Sequence, residues 1–354
     1  MQKGNLAREL IGCLLACMMP FLLCAAVNLE EDTIEGVVVA LKEKHPPSEE
    51  TDEINGVVIA EPCPISPTVC QVRVCTSNQQ FINVVAPCDA TDLKESGCEP
   101  GFQIICKGNQ TFPGYVSCAR ANIRAKPPQN KIYTLSQAID CGAVSNVGLR
   151  GDGASTMECQ MPCTNTMSQD INVCIPRGQC FSPNQPGYQN MACTKDVVCN
   201  IPAGQTVNVP LTTMCMSGKT LKPPPPSGVQ FNPAAPNPAE QKLADRLITA
   251  TNMLNSDKFY DHLPPGDERP KLIAQMAHWI NEGKKSSNPA DSVSPESIRD
   301  EMLSKTKLTY SSLSPKDQKT IDTMCSQIFK ASDKTLKLAQ SPQMDGLLAG
   351  AFIK

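Results

Sequence analysis

The placement of the cysteines restricts this chain more than any other feature. There are nineteen. Cys13, Cys17 and Cys24 sit in an apolar N-terminal run. The next fifteen crowd one stretch: Cys63, Cys70, Cys75, Cys88, Cys98, Cys106, Cys118, Cys141, Cys159, Cys163, Cys174, Cys180, Cys193, Cys199 and Cys215. Beyond them only Cys325 remains. Aromatic residues make up 4% of the chain, and aromatics supply much of the burial in a large core. A cysteine-dense, aromatic-poor stretch predicts small modules that bury too little apolar surface to stand alone and are stapled by disulfides. The expected fold class is small disulfide-rich, mostly irregular or β modules in tandem, followed by an all-α helical bundle. Sixteen cysteines lie beyond residue 26, the even number that a full set of bridges requires.

Disulfides need an oxidising compartment, and the N-terminus points to one. Lys3 and Arg8 precede the uncharged residues of 10–27, rich in Leu, Cys, Met and Ala. Cys24 and Ala26 are small residues at the third and first positions before a cleavage after Ala26. This is the order of a secretory signal peptide over residues 1–26. The rival is an uncleaved N-terminal signal anchor, because the run reaches the lower length limit for spanning a bilayer. Pro20 and the small-residue end favour cleavage. Positive charge ahead of the run exports the rest of the chain in either case. The expectation is a secreted, extracellular protein with no stable membrane span once the signal is removed.

Residues 27–60 form an acidic segment. Ile34-Glu35-Gly36-Val37-Val38-Val39-Ala40 is echoed by Ile54-Asn55-Gly56-Val57-Val58-Ile59-Ala60. Both runs are β-branched and read as short edge strands. Residues 61–121 and 122–215 then read as two Cys-rich modules related by a gapped repeat. Cys70-Gln71-Val72-Arg73-Val74-Cys75-Thr76 resembles Cys159-Gln160-Met161-Pro162-Cys163-Thr164. Phe81-Ile82-Asn83-Val84 resembles Asp170-Ile171-Asn172-Val173. Asn109-Gln110-Thr111-Phe112-Pro113-Gly114-Tyr115 resembles Asn184-Gln185-Pro186-Gly187-Tyr188. The alignment matches Cys63 with Cys141, Cys70 with Cys159, Cys75 with Cys163, Cys106 with Cys180 and Cys118 with Cys193. Cys88 and Cys98 compete for Cys174. Cys199 and Cys215 are spaced for a local bridge, and the odd cysteine of the first module is left for Cys325 or another chain. Pro-Gly in each copy fits a type II turn, Pro presetting φ and Gly taking φ > 0. Tyr115 and Tyr188 are expected as packing anchors.

Residues 216–238 read as a linker. Prolines at 223–226, with Pro233, Pro236 and Pro238, predict a stiff polyproline II spacer. Residues 239–354 form a helical domain. Leu243, Leu247, Ala250 and Leu254 share one helical face, and a second helix after Pro270 carries Ile273, Met276, Trp279 and Ile280. Ser294-Pro295 and Ser314-Pro315 are N-cap and N1 pairs that start a third and fourth helix. Ser341-Pro342 opens a short last one.

Most chemistry is excluded. With 32 basic and 35 acidic residues the net charge is −3, which argues against a nucleic-acid partner. Neither HExxH nor GxSxG occurs. Cys159 and Cys163 are spaced CxxxC, without the paired CxxC of a zinc site. His45, His262 and His278 lie in unlike settings, His278 being expected on a helix surface or half-buried. Gly218-Lys219-Thr220 ends like a phosphate loop, but Thr213 stands where its first glycine is required. No catalytic residue, metal or cofactor is expected. Three short motifs remain. Asn109-Gln110-Thr111 is a glycosylation sequon in an expected turn. Arg150, Gly151 and Asp152 form a possible adhesion loop. Gly283-Lys284-Lys285 reads as a helix stop, or as a dibasic cleavage site.

The expected function is a secreted, non-enzymatic interaction protein that binds an extracellular protein through stapled loops. The alternatives are an extracellular protease inhibitor and a secretory peptide precursor cleaved at Lys284-Lys285.

Overall fold

A computed structural model gives the fold. It describes residues 50–60, 62–66, 68–87, 98–119, 122–126, 132–151, 158–218, 221–222, 224–225, 228–234, 238–256, 259–260, 263, 269–304 and 308–349, with isolated positions between 34 and 48. Two compact units emerge. The larger comprises Glu35–Ser217, Leu221–Asp245 and Gln340–Lys354; the smaller is built on Arg246–Ala339.

The larger unit begins with β1 (Thr51–Val58), β2 (Cys63–Ser66), β3 (Val69–Thr76), β4 (Phe81–Pro87), β5 (Gln103–Phe112), β6 (Tyr115–Cys118) and β7 (Arg124–Lys126). β1 pairs with β3 on one side and β5 on the other, so the sheet closes in the order β1-β3-β4-β6-β5-β1. Neighbours are antiparallel except β4 and β6, which are parallel. This closed five-stranded barrel has the connectivity of the OB-fold, whose five strands correspond to β1, β3, β4, β5 and β6. Side chains alternate across each strand. Cys70, Val72 and Val74 of β3 and Val84 and Ala86 of β4 enter one core with Ile54, Val58, Ile104, Cys106, Val116 and Cys118.

Two glycines let the ring close. A Cβ on Gly56 would stand 2.5 Å from the Cys75 carbonyl oxygen, and one on Gly108 would collide with that of Ser117. The β5–β6 hairpin turns at Pro113-Gly114, where Gly114 has φ +79°, as the type II reading predicts.

The rest of this unit holds β8 (Ile132–Thr134), α1 (Leu135–Asp140), β9 (Val144–Ser145), β10 (Glu158–Asn165), β11 (Ile171–Ile175), β12 (Cys180–Pro183), β13 (Met191–Cys193), β14 (Val197–Ile201), β15 (Thr206–Cys215) and β16 (Phe231–Pro233). They form an open half-barrel of two sheets, β16-β12-β13-β15-β10-β9 and β14-β11-β8. Thr134 caps α1: its Oγ1 accepts from the Gln137 amide at 3.2 Å, and Gln137 Oε1 accepts from the Thr134 amide at 3.0 Å.

The disulfide-rich expectation is overturned. Among the described residues one bridge has both ends in view, Cys106–Cys118; Cys70 is bridged as well. Eleven other cysteines hold their sulfur as thiols, and eight of those are buried. The physical reason is that cysteine packs as a small hydrophobe. Cys159, Met161 and Cys163 alternate inward on β10 as an apolar strand face would. The sheets are closed by apolar burial and ladder hydrogen bonds, not by staples.

The repeat in sequence is not a repeat in structure. β3 and β4 pair with each other. Their counterparts β10 and β11 pair elsewhere, β10 with β15 and β9, β11 with β14 and β8. The first β-branched run is helical at the described positions Ile34, Val37, Val38, Ala40 and Leu41. Its echo is β1, a member of the barrel ring. The Pro-rich stretch is not a bare spacer, because β16 pairs with β12 and buries Phe231.

The C-terminal helices are α2 (Pro238–Ser256), α3 (Arg269–Lys285), α4 (Pro295–Ser304), α5 (Pro315–Gln340) and α6 (Pro342–Ala349). Ser294, Ser314 and Ser341 each accept from the backbone amide three residues on, at 3.2, 3.3 and 3.3 Å. Each precedes a proline at N1. In the smaller unit Leu247, Ile273, Ala277 and Leu336 are fully buried, and the Tyr260 hydroxyl lies 2.5 Å from Thr335 Oγ1. α6 belongs to the larger unit, where the Leu348 carbonyl accepts from Thr111 Oγ1 of β5 at 3.2 Å.

Candidate functional site

Barrels of this connectivity bind ligands on the face of their second and third strands, here β3 and β4. In this chain that face is covered. Its outward polar residues Gln71, Arg73 and Asn83 are 7%, 5% and 8% exposed. Arg73 Nη2 donates to Asp245 Oδ1 at 2.5 Å, and Nη1 donates to Asp196 Oδ1 at 3.3 Å and to the Arg177 carbonyl at 3.0 Å. Arg177 Nε donates to the same Asp245 oxygen at 2.5 Å, and its backbone amide donates to Asp196 at 2.7 Å. Gln71 Nε2 donates to Asn83 Oδ1 at 2.9 Å. Burial pushes the Asp245 carboxyl up, but the guanidiniums of Arg177 and Arg73 outweigh it and hold the group below the usual carboxylate range. Two cations and two carboxylates therefore occupy the face that a ligand would need. Only one hint of this is local in sequence, an arginine inside the apolar strand Val72-Arg73-Val74.

An accessible concavity lies at one mouth of the barrel. It is a cleft of about 810 Å³, bounded by the start of β1 (Asp52, Glu53, Ile54, Asn55), the β3–β4 hairpin (Thr76, Ser77, Asn78, Gln80, Phe81, Ile82) and the β5–β6 hairpin (Gln110, Gly114, Val116). The floor is apolar, because Ile54 and Val116 belong to the barrel core and Ile82 packs against it. The rim is acidic and amide-rich, and none of the described lining residues is Lys or Arg. Both hairpins are fixed. Thr76 Oγ1 donates to Asn78 Oδ1 at 2.5 Å, and Thr76 N donates to the Gln80 carbonyl at 2.9 Å. Asn83 donates to the Gly114 carbonyl through its backbone N, at 2.8 Å, and through its side-chain Nδ2, at 3.2 Å. Gln103 Nε2 donates to Asn55 Oδ1 at 2.6 Å, and Lys107 Nζ lies 3.2 Å from Glu53 Oε2. Sequence reasoning assigned none of these rim residues to a binding site, although Gln110 and Gly114 fell within its sequon and its turn, since neutral amides carry no motif and barrel closure alone gathers them.

The residues expected to act lie elsewhere. The thiols are embedded. Burial raises the Cys163 thiol to about 11, with Cys199 adding to it. Burial raises Cys174 to about 12, with Cys75 and Asp196 adding, and Cys180 to about 11, with Glu240 adding. Such thiols are poor nucleophiles at neutral pH. Among the described residues no three His, Cys, Asp or Glu side chains converge as a metal set. Cys63 and Cys88 have side chains outside the described set.

Asn109 is not in a turn. It sits within β5, opposite Ser117 on β6 and Thr51 on β1, and its Nδ2 donates to the Ser48 carbonyl at 2.8 Å. The sequon threonine, Thr111, is buried. A glycan there would displace a packed amide, so the glycosylation expectation loses its structural basis. Arg150 is bound to β10 by two backbone hydrogen bonds with Gln160, both 2.8 Å. A Cβ on Gly151 would collide with the Pro224 carbonyl oxygen. These two residues are pinned, not an open loop tip, and Asp152 lies outside the described residues. Gly283 is inside α3, where a Cβ would stand 2.6 Å from the Asp291 carbonyl oxygen. Lys284 Nζ lies 3.2 Å from Asp333. Close packing accounts for that glycine. His278 is buried, neither on the surface nor half-buried as expected; His45 and His262 lie outside the described residues.

No family model, no curated protein and no solved structure matches this chain. No helix among the described residues is long and apolar enough to cross a membrane.

Proposed function

We propose that this chain is a non-enzymatic binding protein that takes hold of a protein partner through the mouth of its barrel. One observation carries this reading: an apolar-floored, polar-rimmed cleft of about 810 Å³ on a closed, hydrogen-bonded barrel. The cleft's volume falls within the roughly 300–1,000 Å³ of ligand-binding clefts, and the polar groups of its rim suit a segment of polypeptide. Binding is favoured over catalysis because the rim offers carboxylates, amides and hydroxyls without a base beside a nucleophile; Thr76 Oγ1 is spent on Asn78. Export of the chain is part of the proposal and rests on residues 1–26. It predicts protein in the medium beginning at Val27.

A photo-reactive amino acid at position 78, compared with one at the exposed Lys195, tests the binding reading. Irradiation of cells producing the full chain should give discrete adducts from position 78 alone. Equal labelling from both positions, or none from either, would remove the cleft as the site.

A further inference from the structure

We infer that the mouth of the barrel is a gap in its hydrogen-bond ladder that accepts an extended, positively charged peptide as an added strand. This rests on the mouth being the binding site. The β1–β5 ladder runs the full length from Thr51 to Val57, but pairing of β1 with β3 begins only at Gly56. Among the described residues the first ones of β1 therefore have a partner strand on one side only. Backbone hydrogen bonds fix which groups face which side. Val58 N donates to the Phe102 carbonyl at 2.8 Å, whereas Ile59 N donates to the Arg73 carbonyl at 3.0 Å. Even-numbered residues of β1 thus turn their peptide groups toward β5, and odd-numbered ones toward the β3 side. The N–H and C=O groups of Glu53 and Asn55 consequently face the cleft.

An exposed strand edge is a template for another chain. Main-chain bonds to it supply affinity, and pockets for alternate side chains supply selectivity. Here the inward side chains of an added strand would meet Ile54 and Ile82 and, nearer the start of β1, Asp52, which shares the face of Ile54; its outward ones would pass Glu53 and Asn55, Glu53 already lying 3.2 Å from Lys107 Nζ. Among the described residues no lysine or arginine lines the cleft to oppose a cation beside Asp52. The same absence disfavours phosphate-bearing ligands, which need cationic contacts. The occupant is therefore an extended segment whose inward side chains are apolar against Ile54 and Ile82 and carry a Lys or Arg beside Asp52.

The test is selection of phage-displayed random octapeptides on the full-length chain, followed by amide exchange of the complex. Enriched peptides should carry a Lys or Arg two positions from an apolar residue. They should bind about tenfold more weakly when salt rises from 50 to 500 mM, and slow exchange at the Glu53 and Asn55 amides at least tenfold. Glu53→Pro, which removes the cleft-facing N–H without touching the β5 ladder, should abolish binding. If that variant misfolds, the selected peptide N-methylated at alternate residues should fail on the unaltered protein. No enrichment, or binding without protection at those amides, overturns strand addition. If maltotriose, as a sugar probe, binds the mouth instead, the cleft stands as a binding site and the peptide inference falls. Failure of the selection together with absent adducts at position 78 removes both.

Discussion

At the scale of single residues, cysteine is the residue whose meaning the sequence conceals. Its count and spacing are the same whether it bridges or packs, and only the strand faces decide. Among the described residues Cys141 is the exposed thiol, Cys75 and Cys199 are intermediate, and the other thiols are buried. Iodoacetamide on the native protein should therefore label Cys141 first and the two intermediates more slowly. Cys193 should react only after denaturation, since burial, with Cys159, Cys180 and Asp196 nearby, pushes its thiol strongly up. Peptide mapping over a time course checks the order; prompt labelling of Cys193 would contradict the packing. Glycine is more transparent. Gly108→Ala drives a methyl into the Ser117 carbonyl oxygen, a backbone atom that has no rotamer to escape into. Overpacking of this kind costs about 3 kcal/mol. Urea unfolding should register it, and an unchanged midpoint would mean the β5–β6 crossing is looser than described.

At the scale of elements, legibility follows how local the cause is. The helices of the C-terminal part start where Ser-Pro pairs place them, because an N-cap and the residue three on are enough to define a start. The Pro113-Gly114 turn is equally local. The barrel is not, since β1 and β5 pair across some fifty residues of sequence, and nothing in Thr51–Val58 names its partner. The same is true of the ion cluster. Arg73, Arg177, Asp196 and Asp245 come from four separate segments and are individually ordinary. Removing one partner of a buried ion pair leaves the other charge uncompensated, at about 3–5 kcal/mol. Asp245→Asn should cost that much and loosen the cover over β3 and β4, seen as faster exchange there. The sign of the pH effect follows from the depressed carboxyl. A folded pKa below the unfolded one gives stability that is present above the ordinary carboxylate range and lost as pH falls through the folded value. The variant should therefore lose less stability than the parent between neutral and strongly acid pH. Equal acid sensitivity of the two would sink this account.

At the scale of the whole molecule, the balance between staples and cores decides what conditions the chain tolerates. A scaffold held by many disulfides would collapse on reduction and be indifferent to mild alkali. A chain with buried thiols behaves in the opposite way. The Cys106–Cys118 bridge closes a loop with a sequence separation of 12, worth about 3 kcal/mol in the chain-entropy account. The Cys106→Ala/Cys118→Ala double variant should therefore stay folded with a lower urea midpoint. Alkali is the sharper probe. The thiols of Cys163, Cys180 and Cys325 are raised from 9.0 to about 11, burial being the largest cause for each. Cys174 is raised for the same first reason to about 12. Each folded pKa lies above its unfolded value, so the folded state holds protons that the unfolded chain releases. Their contribution is fully present below pH 9 and is lost as pH rises toward 11–12. The urea midpoint should be flat from pH 7 to 8.5 and fall steeply by pH 10.5. A Cys174→Ala variant, lacking one of those protons, should show a shallower fall. An alkaline midpoint unmoved in the parent would mean these sulfurs are bridged after all, and the packing of β10–β15 would have to be redrawn around them.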